Sequence, residues 1–272
     1  MFDFTGRRVV VTGAASGIGR ATAELIMGLG GYVIAIDRAP ADAPGDQRIA
    51  MDMSDPGSIA RAVDRVDAPV DALCNVAGVS SGSGLSHEAI FTINYVGTRY
   101  FTDSMLDRIL PGGAIVCVSS GTGHEWMEQY RALLPLIRQP GFDEALAWIR
   151  ARPDLLDGYP LSKRAVNSWV RAAMRDLAEQ RDLRINVIAP GVVNTPMLSQ
   201  SAFGTEAELK AKIVAEGGSI SDPRDQAWPI AFLASPVSRP LNGQIIYADG
   251  GRRASVWAQR QSDGAPATMP GI

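Results

Sequence analysis

The run Val9-Val10-Val11-Thr12-Gly13-Ala14-Ala15-Ser16-Gly17-Ile18-Gly19-Arg20 constrains the fold more than any other segment. A β-branched run leads into three glycines, and a helical pattern with Ile18, Ala21, Leu25 and Leu29 follows. Glycines let a backbone approach a pyrophosphate closely, and a helix beginning near Gly17 offers free N–H groups and a positive dipole end. Gly13, Ser16, Gly17, Ile18 and Gly19 therefore read as a phosphate cradle. Their spacing, Gly-x3-Gly-x-Gly, differs from the Gly-x-Gly-x-x-Gly common in dinucleotide folds.

The same alternation continues along the chain. Strand patterns lie near Arg8 to Thr12, Tyr32 to Ile36, Arg48 to Met51, Ala72 to Asn75, Ala114 to Ser119, Arg184 to Ile188 and Ile245 to Ala248, with helical patterns between them. This predicts an α/β fold, a Rossmann-like doubly wound parallel sheet of about seven strands, with ligands at the carboxyl ends of the strands. A chain of 272 residues with 46% hydrophobic content is sufficient for one such domain. We expect it over residues 1–251, with a tail at 252–272 whose last ten residues are disordered and whose Val256-Trp257 docks on a neighbouring subunit or near the site.

Tyr159-Pro160-Leu161-Ser162-Lys163 places a phenol and an ammonium on one face of a helix start. Tyrosine titrates near 10, so service as a base near neutral pH needs about 4 kcal/mol of preferential phenolate stabilisation. Lys163 and the helix N-terminus are the candidates to supply it. After the second strand, Asp37 is positioned to bond the adenosine ribose hydroxyls and to repel a 2′-phosphate, which favours NAD. The adjacent Arg38 is the feature that would favour NADP, yet Ala14, Ala15 and Ser16 add no basic partner. Asp52 reads either as part of the site or as the cap of a helix beginning near Asp55-Pro56.

The glycine turn, Asn75-Val76-Ala77-Gly78, Asn94, Ser119-Ser120, Tyr159 with Lys163, Pro190-Gly191 and Asp249-Gly250-Gly251 together resemble the short-chain dehydrogenase/reductase family, in that family's order, from about Arg7 to Gly251. Val76 departs from a more usual asparagine. The resemblance implies Tyr159 as general base, Lys163 on the nicotinamide ribose, Ser120 on the substrate oxygen and Asn94 anchoring a water that relays the proton outward. It also implies cofactor contacts at Asp52 and Met53 (adenine), Asn75, Ala77, Gly78, Pro190, Gly191, Val192, Val193 and Thr195. For Asn94 the other reading is a mid-helix asparagine bonding a backbone carbonyl, and for Ser120 a strand-end serine satisfying a turn.

Between Ser120 and Tyr159 stand 38 residues, where compact members have far fewer. Within this insertion, about 121–158, helical spacing predicts helices from about Glu125 to Arg138 and Asp143 to Ala151, forming a lid, a hairpin packed on its own body, or an altered subunit interface. A similar insertion occurs in bacterial members of the 3α-hydroxysteroid dehydrogenase/carbonyl reductase type, which implies a bulky apolar secondary alcohol. The stretch from 195 to 221, with Met197, Leu198, Phe203 and Ile213, reads as a substrate loop. Ala165, Val166, Trp169, Val170, Ala173, Met174 and Leu177 form an apolar stripe, either a subunit interface or buried against the sheet. We expect a homodimer or homotetramer.

The net charge of −3 leaves no footprint for nucleic acid. No signal-peptide order and no long apolar run is present, so we expect a cytoplasmic chain with no membrane partner. Cys74 and Cys117 read as inert core thiols; with only His87 and His124 to complete a site, no metal is expected. The expected activity is NAD-dependent interconversion of an apolar secondary alcohol and its ketone, a hydroxysteroid first. Aryl-alcohol or cis-dihydrodiol dehydrogenase, NADPH-dependent carbonyl reductase and a dinucleotide-sensing binding protein are the alternatives.

Overall fold

Val9 and Val11 point to one face of the sheet and Val10 to the other, and the two hydrophobic clusters of the molecule follow from that alternation. The computed structural model describes residues 3–199 and 206–263. In chain order the elements are β1 (Arg8–Thr12), α1 (Gly17–Gly28), β2 (Tyr32–Asp37), β3 (Gln47–Ala50), α2 (Pro56–Arg65), β4 (Val70–Asn75), α3 (His87–Phe91), a π-helical turn (Thr92–Gly97), α4 (Thr98–Met105), β5 (Ile109–Val118), α5 (Trp126–Ile137), α6 (Phe142–Arg150), α7 (Tyr159–Arg181), β6 (Arg184–Pro190), β7 (Val192–Val193), α8 (Pro196–Ser199), α9 (Glu206–Ala215), β8 (Ile220–Ser221), α10 (Pro223–Ala234), β9 (Ile245–Ala248) and α11 (Arg252–Ser262).

Seven strands form one parallel sheet in the order β3-β2-β1-β4-β5-β6-β9. The chain runs outward from β1 to β3 and then restarts at β4 on β1's other side. That reversal opens a crevice at the carboxyl ends of β1 and β4, the place where such sheets take ligands. The fold is the Rossmann-like one predicted, and its seven strands match the expected segments to within a few residues, except that β5 begins earlier, at Ile109.

One face carries Val10, Ile34, Leu73, Ile115, Ile185 and Val187 against α2, α4, α7 and the insertion. The other carries Val9, Val11, Val33, Cys74 and Val116 against α1 and α10. Cys74 and Cys117 are both buried, and burial pushes both thiols up to about 12, so neither is reactive near neutral pH.

The insertion forms the two helices expected, α5 and α6. Leu133, Leu136, Phe142 and Ile149 from it are buried in the same cluster as Leu161, Ala165, Val166 and Trp169 of α7. Arg99 of α4 donates to the carbonyls of Leu136 and Gln139, tying down the end of α5. Each buried large apolar side chain is worth about 1.5–3 kcal/mol, so swinging this hairpin away would cost far more than a lid motion allows. The hairpin therefore packs on its own body, and of the α7 stripe Ala165, Val166, Trp169, Val170 and Leu177 are buried within the chain while Ala173 and Met174 are half-buried.

The segment from 195 to 221 is tethered at both ends, because β7 pairs in parallel with β8 and Asn194 N–H donates to Ser221 O. Phe203 lies outside the described residues. In the tail, Arg252–Ser262 forms α11, and residues 264–272, nearly all of the ten expected to be disordered, lie outside the described ones. Among the described residues no helix is long and apolar enough to cross a membrane, and no group of three His, Cys, Asp or Glu could hold a metal.

Candidate active site

The glycine turn closes on itself and on β4. Gly13 takes φ +69°, and a Cβ there would stand 2.8 Å from Ala77 Cα. Thr12 Oγ1 accepts N–H bonds from Val76 and Ala77, so the Val76 departure costs no backbone pairing. Gly17, at the start of α1, has a Cβ position 3.2 Å from Thr195 Cγ2, which brings the β7 loop to the cradle. Ser16 makes no side-chain cap for α1, and the first turn holds no acidic residue. An uncapped helix start beside close-packed glycines fits a dinucleotide pyrophosphate.

Asp37 ends β2, and its carboxylate accepts from the amides of Ala15 (3.0 Å) and Ala39 (3.1 Å). It therefore stands beside the cradle, as the ribose-binding reading requires. Asp52 does not cap α2; Asp55 does, accepting from Gly57 N–H. Asp52 instead accepts from the Ser54 hydroxyl and amide, and those bonds, helped by the charge of Arg38, hold its pKa low against burial. Met53 has its side chain in the core and its carbonyl where a Cβ on Gly97 would stand, 1.9 Å away.

Asn75 turns inward and donates to Thr102 Oγ1 at 2.8 Å, with its Oδ1 buried and unpaired. Gly78 faces the chemistry: a Cβ there would lie 3.1 Å from Asn94 Oδ1 and 3.7 Å from Lys163 Nζ. Asn94 sits in the π-helical turn, a local unwinding frequent at functional sites. Its Oδ1 accepts from Val79 N–H (2.8 Å), and its Nδ2 donates to Val79 O (2.9 Å) and Ser162 Oγ (3.3 Å). The backbone-bonding reading of Asn94 is thus realised, with Val79 and Ser162 as partners that the sequence did not reveal.

Ser120 follows β5, and three bonds to its neighbourhood fix it. Ser119 Oγ donates to Lys163 O, Asn167 Nδ2 donates to Gly123 O, and Thr122 N–H donates to Ser120 Oγ. Tyr159, at the first position of α7, lies close enough to Ser120 for that side chain to favour its phenolate. Lys163 lies one turn on, buried, donating to Val118 O at 3.0 Å with its Nζ 5.4 Å from the Tyr159 ring centre. Pro190 ends β6, Gly191 packs on Asp249, and Val192 and Val193 form β7.

The sequence family described as short chain dehydrogenase matches residues 7–132, and that described as enoyl-(acyl carrier protein) reductase matches residues 148–253. A coniferyl-alcohol dehydrogenase of Pseudomonas sp. strain HR199 is 34% identical over 92% of this chain and 97% of its own. A 3-alpha-hydroxysteroid dehydrogenase/carbonyl reductase of Comamonas testosteroni is 28% identical over 89% and 95%. The solved 3-alpha-hydroxysteroid dehydrogenase from Pseudomonas sp. B-0831, complexed with NADH, superimposes with a TM-score of 0.74 at 31% identity, covering 93% of this chain and 99% of that one.

The chain belongs to the short-chain dehydrogenase/reductase family. Its enzymes oxidise alcohols or reduce carbonyls with a nicotinamide dinucleotide, and this short-chain dehydrogenase brings together the serine, tyrosine, lysine and asparagine that the sequence singles out.

The electrostatics of this dehydrogenase correct one expectation. Burial raises the Tyr159 pKa, and the Ser120 side chain only partly opposes it. Nearby, Lys163 aims its ammonium at Val118 O, and Asp157 accepts from Leu161 N–H at the start of α7.

Lys163 is itself pushed down to about 8, chiefly by burial. It binds its proton more weakly folded than unfolded, so its charge penalises folding below about pH 8, and the penalty fades as pH rises toward 10.5. The stability of the parent relative to Lys163→Met is expected to rise by about 3 kcal/mol across that window, read by urea unfolding at its two ends.

Proposed function

We propose that this chain is an NAD-dependent dehydrogenase interconverting a bulky, ring-bearing secondary alcohol and its ketone, with a hydroxysteroid as the first candidate. The convergence of Tyr159 and Ser120, with Lys163 one helical turn along α7, carries the reading. When bound, the dinucleotide supplies the hydride acceptor at its nicotinamide ring. Gly13, Ser16, Gly17, Ile18, Gly19 and Thr195 would hold its phosphates, and Asp37 its adenosine ribose. Lys163 would meet the nicotinamide ribose.

The protein's part is to hold one oxygen and move one proton. Ser120 donates to the alcohol oxygen and keeps it against Tyr159. Tyr159 Oη takes the O–H proton as the C–H bond gives up its hydride, and it returns the proton in the reverse direction. Lys163 and the Asn94–Val79–Ser162 cluster lie behind the phenol, and the proton leaves along that side.

One observation supports NAD over NADP: the Asp37 carboxylate is fixed at the cradle by two amides. Asp37→Ser is expected to lower kcat/KM with NAD by about tenfold or more, the scale of one lost hydrogen bond to a charged group, and to raise it with NADP. Steady-state rates with each cofactor give the ratio; an unchanged ratio removes Asp37 from specificity.

The 34% identity to a coniferyl-alcohol dehydrogenase favours a second substrate class, aryl alcohols. The deciding assay is NADH formation over hydroxysteroids, aryl alcohols and cis-dihydrodiols. Turnover of hydroxysteroids with NAD supports the first class, turnover confined to aryl alcohols supports the second, and turnover only with NADP overturns the cofactor reading.

A further inference from the structure

The helix that the sequence did not predict, α11, turns a face with unspent hydrogen-bond donors toward Ser120. Arg253, Val256, Trp257 and Arg260 fall at i, i+3, i+4 and i+7, one side of the helix. A Cβ on Gly121, the residue after Ser120, would lie 4.0 Å from Arg253 Cδ and 3.7 Å from Pro190 O. The inner face of α11 therefore lies beside the reacting serine.

Arg253 Nε, Trp257 Nε1 and the Tyr247 hydroxyl are each buried with no hydrogen-bond partner. Buried polar groups are nearly always paired, so three orphans in one neighbourhood call for a ligand. Arg and Trp donate and never accept, and that ligand must bring acceptor oxygens.

The carboxylates nearby are already committed. Asp249 accepts from the backbone amides of Gly251 and Arg253, Glu216 pairs with Arg252, and Glu125 pairs with Arg164 and lies 3.5 Å from His124 Nε2. Among the described residues, none forms an ion pair with Arg253. The positive field is felt by His124, whose pKa is lowered by burial and then by the charges of Arg253 and, more weakly, Arg260.

From this geometry we infer that the inner face of α11 is a carboxylate-binding subsite of the substrate pocket, in which the Arg253 fork and the Trp257 N–H hold a carboxylate on the substrate, at the end away from the alcohol beside Ser120 and Tyr159. The inference rests on the dehydrogenase reading above and adds an acidic group to the ring-bearing alcohol. A planar guanidinium matches a carboxylate's two oxygens.

The test needs no turnover. Cyclohexanecarboxylate and cyclohexanecarboxamide, alike in ring and differing in charge, are titrated calorimetrically into the full chain with and without NADH. The parent is expected to bind the acid at least tenfold more tightly than the amide, and Arg253→Met to lose that preference. Arg253→Lys should recover part of it, since it restores the charge without the fork. Trp257→Phe, which deletes one N–H and keeps most of the apolar ring, should weaken the acid severalfold more than the amide, and thermal unfolding of each sample shows that the variants fold. Equal affinity for acid and amide, binding of neither, or an equal loss of both in Arg253→Met overturns the inference. Failure of the dehydrogenase reading would show separately, as absence of NADH formation with every alcohol.

Discussion

Tyr159→Phe is expected to lower kcat about a thousandfold, within the range that a positioned proton-transfer group contributes, while NADH binding stays close to that of the parent. Two features of the site set the size of this effect. The phenol oxygen stands beside Ser120, so removing it deletes the proton acceptor next to the serine. Lys163 keeps its own bond to Val118 O, which does not involve the phenol, and the cradle from Gly13 to Gly19 is untouched.

The ring should stay where it is, because burial already disfavours the charged phenolate and a phenyl ring fills the same space. Steady-state rates with the best alcohol, beside an NADH titration by fluorescence, make the measurement. A dinucleotide-sensing protein would give the opposite pattern: no alcohol turnover in the parent, and a cofactor response that Tyr159→Phe leaves alone. Loss of NADH binding together with turnover would mean that Tyr159 holds the cofactor and not the proton.

Much of this site was legible because its signals are local. Tyr159 and Lys163 declare themselves by a four-residue spacing, and the cradle by glycines between a valine strand and a helix. The positions of β1, β2 and β6 follow from β-branched runs that must be buried on both faces, while β4 shows as a short apolar run around Ala72, Leu73 and Cys74.

What escaped the sequence depends on contacts between distant segments. Thr12 meets Val76 and Ala77 from 64 and 65 positions away, and Asn94 meets Ser162 from 68. The π-helical turn at Thr92–Gly97 carries no spacing distinct from an α-helix, so the aim of Asn94 was invisible. The direction of the Tyr159 pKa was misjudged for a similar reason. Spacing places a cation nearby but says nothing of how deeply the phenol is buried, and here burial raises its pKa. In α11 a usable signal was present, the i, i+3, i+4, i+7 recurrence of Arg253, Val256, Trp257 and Arg260, but the Gly- and Pro-bearing composition of the whole tail obscured it.

Gly19→Ala is expected to abolish measurable dinucleotide binding and to lower the melting temperature. Gly19 is the second helical residue after Gly17, and its φ lies in the range any residue adopts, so backbone strain is not the cause. Space is the cause. A Cβ at this position would stand 2.1 Å from Gly13 O, 2.6 Å from Gly13 C and 3.1 Å from Thr12 O. All three are backbone atoms and cannot rotate aside as a side-chain tip would. Only a shift of α1 relative to the end of β1 makes room, and overpacking of that kind costs about 1–3 kcal/mol. For a chain of this size that corresponds to a fall of roughly 2–10 °C.

The larger consequence is for the ligand. Moving α1 away from Gly13 separates the helix N–H groups from the turn that together would hold the phosphates, and Gly13 itself cannot follow because it is already packed against Ala77. Binding should therefore fall by far more than stability does. Differential scanning calorimetry with and without NADH reads both at once: the parent should gain stability from the cofactor, as mass action on the native state requires, and Gly19→Ala should gain none. A variant that melts lower yet is still stabilised by NADH would show that the phosphates sit elsewhere than in the cradle between β1 and α1.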